Sequence, residues 1–382
     1  MSILSNDLVI KKNDLNTKLK LYITNKNLFN IIPSPKKVRY RNNIMFSMGY
    51  DGYGKIVVGP FESVNSKLVK KAETNILVSD LAIKICEYMR EWIINESNLL
   101  ITEYPSFSGF WRHIQIKQNN KNDFIIGFRF SNFYKHKNIW SKEKYRLINY
   151  LLTRDELINN KYKLLNISYQ ECMGKKEPSI SDPFYEIYNK GNLVENILRN
   201  DFIVNMGCFF QVNMYSSKFI YSIVKSLINK KKQNVLLDLC CGIGIYSIIF
   251  ADMFYKVYGI DNNENNIILA NENMEINRRE NIVFIRDRVE DCIEQIMNET
   301  MKNKTVIVNP PRRGLYENVI ETLNKQMGKI DQLIYISCNA ETLRRDLEML
   351  NLEGKKIKNI IPIDQFPNTE HYEIILNIIK LI

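Results

Sequence analysis

Cys338 and Asn339 stand where an apolar run, LIYISC at 333–338, breaks into a charged, helix-prone stretch. Asn309 leaves a second apolar run, TVIVNP at 305–310, and Glu373 follows the short loop QFPNTE. A thiol and a carboxyl group brought together can perform covalent catalysis on a pyrimidine. Its C5 is a poor nucleophile, so a thiolate adds to C6 and generates an enolate, whose C5 then attacks an alkyl donor. A general base must afterwards take the C5 proton so that the sulfur can leave. Cys338 precedes a helical pattern, whose free N–H groups could lower its pKa; no His lies nearby in sequence, and the source of its activation stays open. The two prolines after Asn309 hold that residue extended and stiffen its turn, as suits a side chain meeting a ligand at fixed geometry.

Positioning these residues requires a scaffold, and the second half of the chain supplies one. Strands are expected at 234–239, 256–261, 282–287, 305–310, 333–338, 358–364 and 371–380, alternating at first with helical patterns. That alternation predicts an α/β fold with a parallel sheet. Ligands bind beyond the carboxyl ends of such strands, so Asp238, Asp261, Asp287, Asn309 and Cys338 should share one edge. The loop before the last strand is too short for a parallel crossover, so that strand returns antiparallel and starts, with Glu373, at the same edge.

LLDLCCGIGIYSIIFA, 236–251, reads as strand, glycine turn and helix. Gly242 and Gly244 let the backbone approach a ligand, and the helix start offers N–H groups. A dinucleotide fingerprint would place a third glycine at 247, where this chain has Ser247, so S-adenosyl-L-methionine fits better than NAD or FAD. Asp261 is placed to accept hydrogen bonds from ribose hydroxyls.

The first half reads as irregular and β-rich. Residues 112–130 form a hairpin around an Asn-rich turn, with Phe124, Ile126, Phe128 and Phe130 on one face. Leu81, Ile85, Tyr88 and Trp92 mark the buried stripe of a helix within 77–95. The change of texture divides the chain into an α+β domain, 1–207, and a second domain, 208–382.

Composition narrows the function classes. The chain has 382 residues and a formal charge of +11, which favours a polyanionic partner. Residues 1–50 hold nine Lys or Arg against two Asp or Glu, and Lys36, Lys37, Arg39 and Arg41 are candidates for phosphate contact. Seven cysteines without C-x-x-C spacing indicate neither a disulfide framework nor a metal site. Neither a signal peptide nor a membrane span is expected. The chain reads as intracellular, cytoplasmic or nuclear, with a Lys-rich start that leaves organelle import open.

FFQVN 209–213, LDLCCGIG 237–244, NPPRRGL 309–315, SCNAET 337–342 and DQFPNTEHYE 364–373 together resemble, in order, the signature series of the RNA (uracil-5-)-methyltransferase family. SPKKVRYRNN 34–43 and SGFWRHIQIK 108–117 resemble its substrate domain more thinly. The resemblance implies a Rossmann-like seven-stranded methyltransferase sheet, last strand antiparallel, behind an N-terminal α+β substrate-recognition domain. It implies Cys338 as nucleophile and Glu373 as proton acceptor. Gln211, Cys240, Ile245, Asp261 and Asn309 occupy the family's cofactor-contact positions, Gly242 lies in its glycine turn, and Asp287 sits where an adenine contact could form. Ile245 replaces the Asn of some members and Asn309 the Asp of many. The upstream segments and DLCCGIG look most like the eukaryotic-type tRNA branch, which implies uridine 54 of the T-loop as target. SCNAET and NPPRRG also resemble a ribosomal-RNA branch, which keeps that target as an alternative. A NAD-type oxidoreductase and a non-catalytic tRNA-binding or tRNA-folding protein are the readings from other classes.

Overall fold

The computed structural model describes residues 3–63, 66–154, 161–173, 177, 182–228, 234–299 and 303–381. They form two compact units, one comprising Met1–Lys37, Asn196–Phe202 and Asn213–Ile382, the other Val38–Glu195 and Ile203–Val212. The sequence suggested a single cut near 207. The division found is discontinuous, because residues 1–37 pack with the second half of the chain.

The second unit is built on strands β1 (Asn43–Tyr50), β2 (Ile56–Gly59), β3 (Trp111–Gln118), β4 (Asp123–Ser131), β5 (Lys163–Cys172) and β6 (Tyr185–Asn189), in the order β2-β1-β3-β4-β5-β6. The expected hairpin is β3 and β4; β4 and β5 are parallel, joined through the helix Phe133–Leu152. One face is apolar. Phe124, Ile126, Phe128 and Phe130 of β4 are fully buried on it, against a core that includes Leu81, Ile85 and Trp92 of the helix Asp80–Asn95. That helix starts where Ser79 accepts a hydrogen bond from the Ala82 N–H at 3.3 Å, the usual way a hydroxyl satisfies an otherwise unpartnered first-turn donor. The other face carries Ser47, His113, Gln115, Lys117 and Arg129, placed there by the two-residue alternation of paired strands. Strands β7 (Leu193–Ile197) and β8 (Asn200–Val204) pair with each other.

The first unit holds β9 (Val235–Leu239), β10 (Lys256–Asp261), β11 (Ile282–Arg286), β12 (Lys304–Val308), β13 (Ile330–Ser337), β14 (Lys355–Ile363) and β15 (Glu373–Lys380), ordered β11-β10-β9-β12-β13-β15-β14. The pairs from β11 to β13 are parallel, and β15 inserts antiparallel between β13 and β14. All seven expected strands are present, with ends displaced by a few residues. Strands β9, β12 and β13 are almost wholly buried, as strands covered on both faces are.

Residues 1–37 brace this sheet. The first helix, Ile3–Lys18, buries Leu15, and Leu28 and Ile32 bridge in parallel to Ile360 and Ile363 of β14. Lys11, 1% exposed, donates to Asp364 at 2.7 Å, and Tyr372 donates to Asp14 at 2.7 Å. Part of the basic charge of the opening segment is thus consumed inside the unit: Lys11 pairs with Asp364 and Lys18 with Asp14. In the other unit, Arg39 pairs with Asp80 and donates to the Asn75 and Val78 carbonyls. Among the described residues no helix is long and apolar enough to cross a membrane, and no group of three His, Cys, Asp or Glu could hold a metal ion.

Candidate active site

The strand order sets Asp287, Asp261, Cys240, Asn309, Cys338 and Glu373 in sequence along one edge of the first unit. Each of the first five lies at or just past the carboxyl end of β11, β10, β9, β12 or β13, and Glu373 opens β15. The antiparallel register of β13 and β15 pairs Ser337 with Ile374, so one step further Cys338 stands opposite Glu373. The long sequence separation is closed by the sheet itself.

Glu373 is 2% exposed. Burial pushes its carboxyl up to about 8, and the Arg312 guanidinium only partly offsets this. Burial, and after it the Glu373 carboxyl, raises the Cys338 thiol to about 11, against the opposing pull and hydrogen bond of Arg312. The resting pair is therefore a thiol and a largely protonated carboxyl group at neutral pH. The sequence left the source of Cys338 activation open, and the helix start does not supply it. Asn339 caps the helix Ala340–Met349, and its Oδ1 accepts from the Glu341 and Thr342 N–H groups at 3.0 and 3.4 Å. Those donors are taken, and burial dominates.

Arg312 is the residue that sequence reasoning passed over; its signal was a cation directly after two prolines. It is held by its backbone, because the Arg312 carbonyl accepts from Asn339 Nδ2 at 3.3 Å and Thr342 Oγ1 at 3.2 Å. Beyond it, Asp346 accepts from the Leu315 N–H at 2.8 Å and from the Tyr335 hydroxyl at 2.5 Å. Gly314 is required between them. Its φ is +77°, and a Cβ there would lie 2.6 Å from Asp346 Oδ2. The NPPRRGL loop and the helix after Cys338 are one hydrogen-bonded assembly, which fixes Arg312 relative to Cys338.

The glycine turn lies beside this group. Cys240, Gly242 and Gly244 all have positive φ, at 62°, 56° and 82°. A Cβ on Gly242 would meet nothing within 4 Å, whereas one on Gly244 would strike Phe284. Gly242 thus borders open space, and Gly244 makes close contact between helix and sheet. Asp261 accepts from the Gly242 and Asn263 N–H groups, both at 2.9 Å, and from Asn266 Nδ2 at 3.1 Å. Burial, with Asp261 and Asp238 next, holds the Cys240 thiol neutral at about 12. Ile245 is half-buried at the start of the helix Ile245–Phe250, Asp287 is exposed and Asn309 half-buried.

One residue expected at the edge lies elsewhere. Asp238 does not reach the edge: it is fully buried in β9 and its Oδ2 accepts from the Ser247 N–H and Oγ–H at 3.0 and 2.7 Å. Its burial raises the carboxyl to about 7 despite those bonds. Ser247, where a dinucleotide fingerprint has glycine, therefore has a partner that needs its hydroxyl. Gln211 is buried and belongs to the segment Ile203–Val212.

Residues 194–380 match the family described as tRNA (Uracil-5-)-methyltransferase. An RNA methyltransferase of Nanoarchaeum equitans is 30% identical across 90% of this chain and 70% of its own length. The chain belongs to the tRNA (uracil-5-)-methyltransferase family. Relatives of similar likeness are an uncharacterized RNA methyltransferase of Caldanaerobacter subterraneus, 29% identical over 97% of this chain and 79% of the relative, and one of Acanthamoeba polyphaga mimivirus named as an RNA methyltransferase by inference, 28% identical over 95% and 91%. Among solved structures, the Pyrococcus abyssi tRNA (uracil-54, C5)-methyltransferase in complex with S-adenosyl-L-homocysteine superposes with a TM-score of 0.74, at 24% identity, over 98% of this chain and 83% of that one. It shares the fold of this methyltransferase.

Proposed function

We propose that this methyltransferase transfers a methyl group from S-adenosyl-L-methionine to C5 of a uracil in RNA, and that the RNA is tRNA with uridine 54 as target. The observation that carries the chemistry is the β13–β15 register, which sets a thiol against a carboxyl group with Arg312 beside both. Family membership supports tRNA, and the name of the Pyrococcus abyssi enzyme supports position 54. The texture of DLCCGIG supports the eukaryotic-type branch.

The residues present fit the cofactor. Gly242 borders open space, Asp261 offers a carboxylate at the ribose position of such folds, and Cys240, Ile245, Asp287 and Asn309 lie along the same edge. Gln211 is assigned to the cofactor by its family position. When bound, S-adenosyl-L-methionine supplies an electrophilic methyl group. The chain supplies the rest. Cys338 Sγ gives up its proton to solvent and bonds to C6 of the pyrimidine, and the electron pair displaced from the C5–C6 double bond passes toward O4. Arg312 favours the charged form of both Cys338 and Glu373, lowering the cost of ionising each in this buried place. Once C5 carries its methyl group, the fraction of Glu373 that has lost its own proton to solvent takes the C5 proton, the double bond re-forms and the thiolate leaves. A carboxyl group held near pH 8 is a stronger base than an ordinary one and is matched to this task.

The test is to incubate the protein with unmodified tRNA and cofactor and map 5-methyluridine. Cys338→Ala should abolish the product with the fold retained, and RNA containing 5-fluorouridine at the target should remain covalently attached to the wild type. Persistent methylation by Cys338→Ala removes the mechanism; methylation at another nucleotide removes the uridine 54 assignment.

A further inference from the structure

The polar face of the six-stranded sheet holds a cluster of basic side chains that the chemistry above does not use. β3 and β4 pair Trp111 with Phe130 but His113 with Arg129, so one extra residue, Arg112, interrupts the register. Such a bulge breaks the strict alternation and can turn two consecutive side chains to one side. Here Arg112 and His113 converge on a single carboxylate. Arg112 Nη2 and His113 Nε2 lie 2.5 and 3.0 Å from Glu177 Oε1, and Arg129 Nη1 lies 3.5 Å from Oε2. His113 Nδ1 lies 3.0 Å from Ser47 Oγ.

The exposure is inverted relative to an ordinary ion pair in a core. The Arg112 and His113 side chains are 2% and 8% exposed, whereas that of Glu177 is 45% exposed. The cations are built into the sheet and the anion reaches them from the solvent side. Burial would raise the Glu177 carboxyl, but the hydrogen bond and charge of His113, followed by Arg112, hold it down at about 2. Three basic groups around one carboxylate form a fork-like donor set that matches the several oxygens of a phosphate at least as well as the two of a carboxylate. Arg129 also lines a cleft of about 270 Å³ together with Asn43, Gln115 and Met206 on the same face, so open space adjoins the cluster.

We propose that Arg112, His113 and Arg129 form a phosphodiester site for RNA on this face, in which the Glu177 carboxylate holds the place of a backbone phosphate. This rests on the reading that the substrate is RNA. Phosphate contacts of this kind fix register and orientation without reading sequence. The site would add to affinity for any RNA that reaches it, and Glu177 would lower that affinity by competition.

The experiment measures binding of an unmodified tRNA transcript to the full chain across a salt series, for wild type, Glu177→Gln, Arg129→Gln and the double variant. Glu177→Gln should bind about tenfold more tightly. Arg129→Gln should weaken binding and reduce the salt slope by about one. The double variant should lose the gain of Glu177→Gln. Equal affinity of Glu177→Gln and wild type, or a double variant as tight as Glu177→Gln, overturns the proposal. Thermal unfolding of Glu177→Gln with and without inorganic phosphate distinguishes the source of the anion. Stabilisation by inorganic phosphate with no change in tRNA affinity would identify a free-phosphate site and reject the RNA assignment. Should Glu177→Gln fail to fold, Arg129→Gln carries the test alone, and an unchanged slope rejects the proposal. Methylation of the same transcript by wild type is read in parallel. If methylation persists while the slopes do not move, this inference fails and the catalytic reading stands; absent product and absent 5-fluorouridine adduct defeat the catalytic reading instead.

Discussion

Glu373 and Glu177 are both carboxylates beside arginine, one in each unit, and their pKa values move in opposite directions, to about 8 and about 2. Glu373 lies in the sheet with one guanidinium acting on it and pays the full desolvation penalty. Glu177 is half-exposed and shares three basic partners. The contrast shows that a neighbouring arginine does not by itself decide whether a carboxyl group is charged; burial against hydrogen-bonded donors decides it. The first arrangement suits a group that must accept a proton, the second a group that must remain an anion.

Four measurements sharpen or break this contrast, taken from the largest effect down. Cys338→Ala should reduce turnover by at least about 10⁴-fold, since a nucleophile acting in concert with a base leaves little behind when removed. Glu373→Gln should reduce turnover by about 10²–10⁴-fold and, because the sulfur cannot then be expelled, should accumulate a covalent RNA adduct visible by denaturing electrophoresis. The same variant bears on stability. In the wild type the folded-state value lies above the ordinary 4.5, so the folded state binds the extra proton. Stability is then full below the ordinary value and is lost as pH rises through about 8. Glu373→Gln should therefore unfold at a higher temperature than wild type at pH 8.5, with the difference shrinking toward pH 4.5.

Arg312→Gln should move the rising limb of the pH–rate profile upward, because both Cys338 and Glu373 lose the charge that favours their ionised forms; an unmoved limb separates Arg312 from the reacting pair. The smallest effect is expected at Glu177. Its depressed value contributes stability above the ordinary 4.5, and that contribution is lost as pH falls through about 2. Glu177→Gln should flatten the acid limb of the thermal-stability profile in that window, and an unchanged limb would show that the three basic groups do not hold it.

The seven strands, the antiparallel last strand and the β3–β4 hairpin were legible because each rests on a local pattern: an apolar run, a loop too short to cross over, two alternating segments around an Asn-rich turn. Three features were not. The attachment of residues 1–37 to the methyltransferase sheet depends on partners such as Lys11 and Asp364, 353 positions apart, and no local period records such a contact. The elevated Cys338 pKa follows from burial and from Glu373, which outweigh the helix start that the sequence displays. The basic cluster depends on one extra residue in β3, which shifts register without altering composition.

The insertion of β15 between β13 and β14 also governs the order in which the enzyme can mature. Until β15 docks, β13 and β14 each lack their shared neighbour, and unpaired strand borders invite association with other chains. The strand that carries the proton acceptor is thus the one that joins β14 to the rest of the sheet, so the site and the sheet are completed by the same segment.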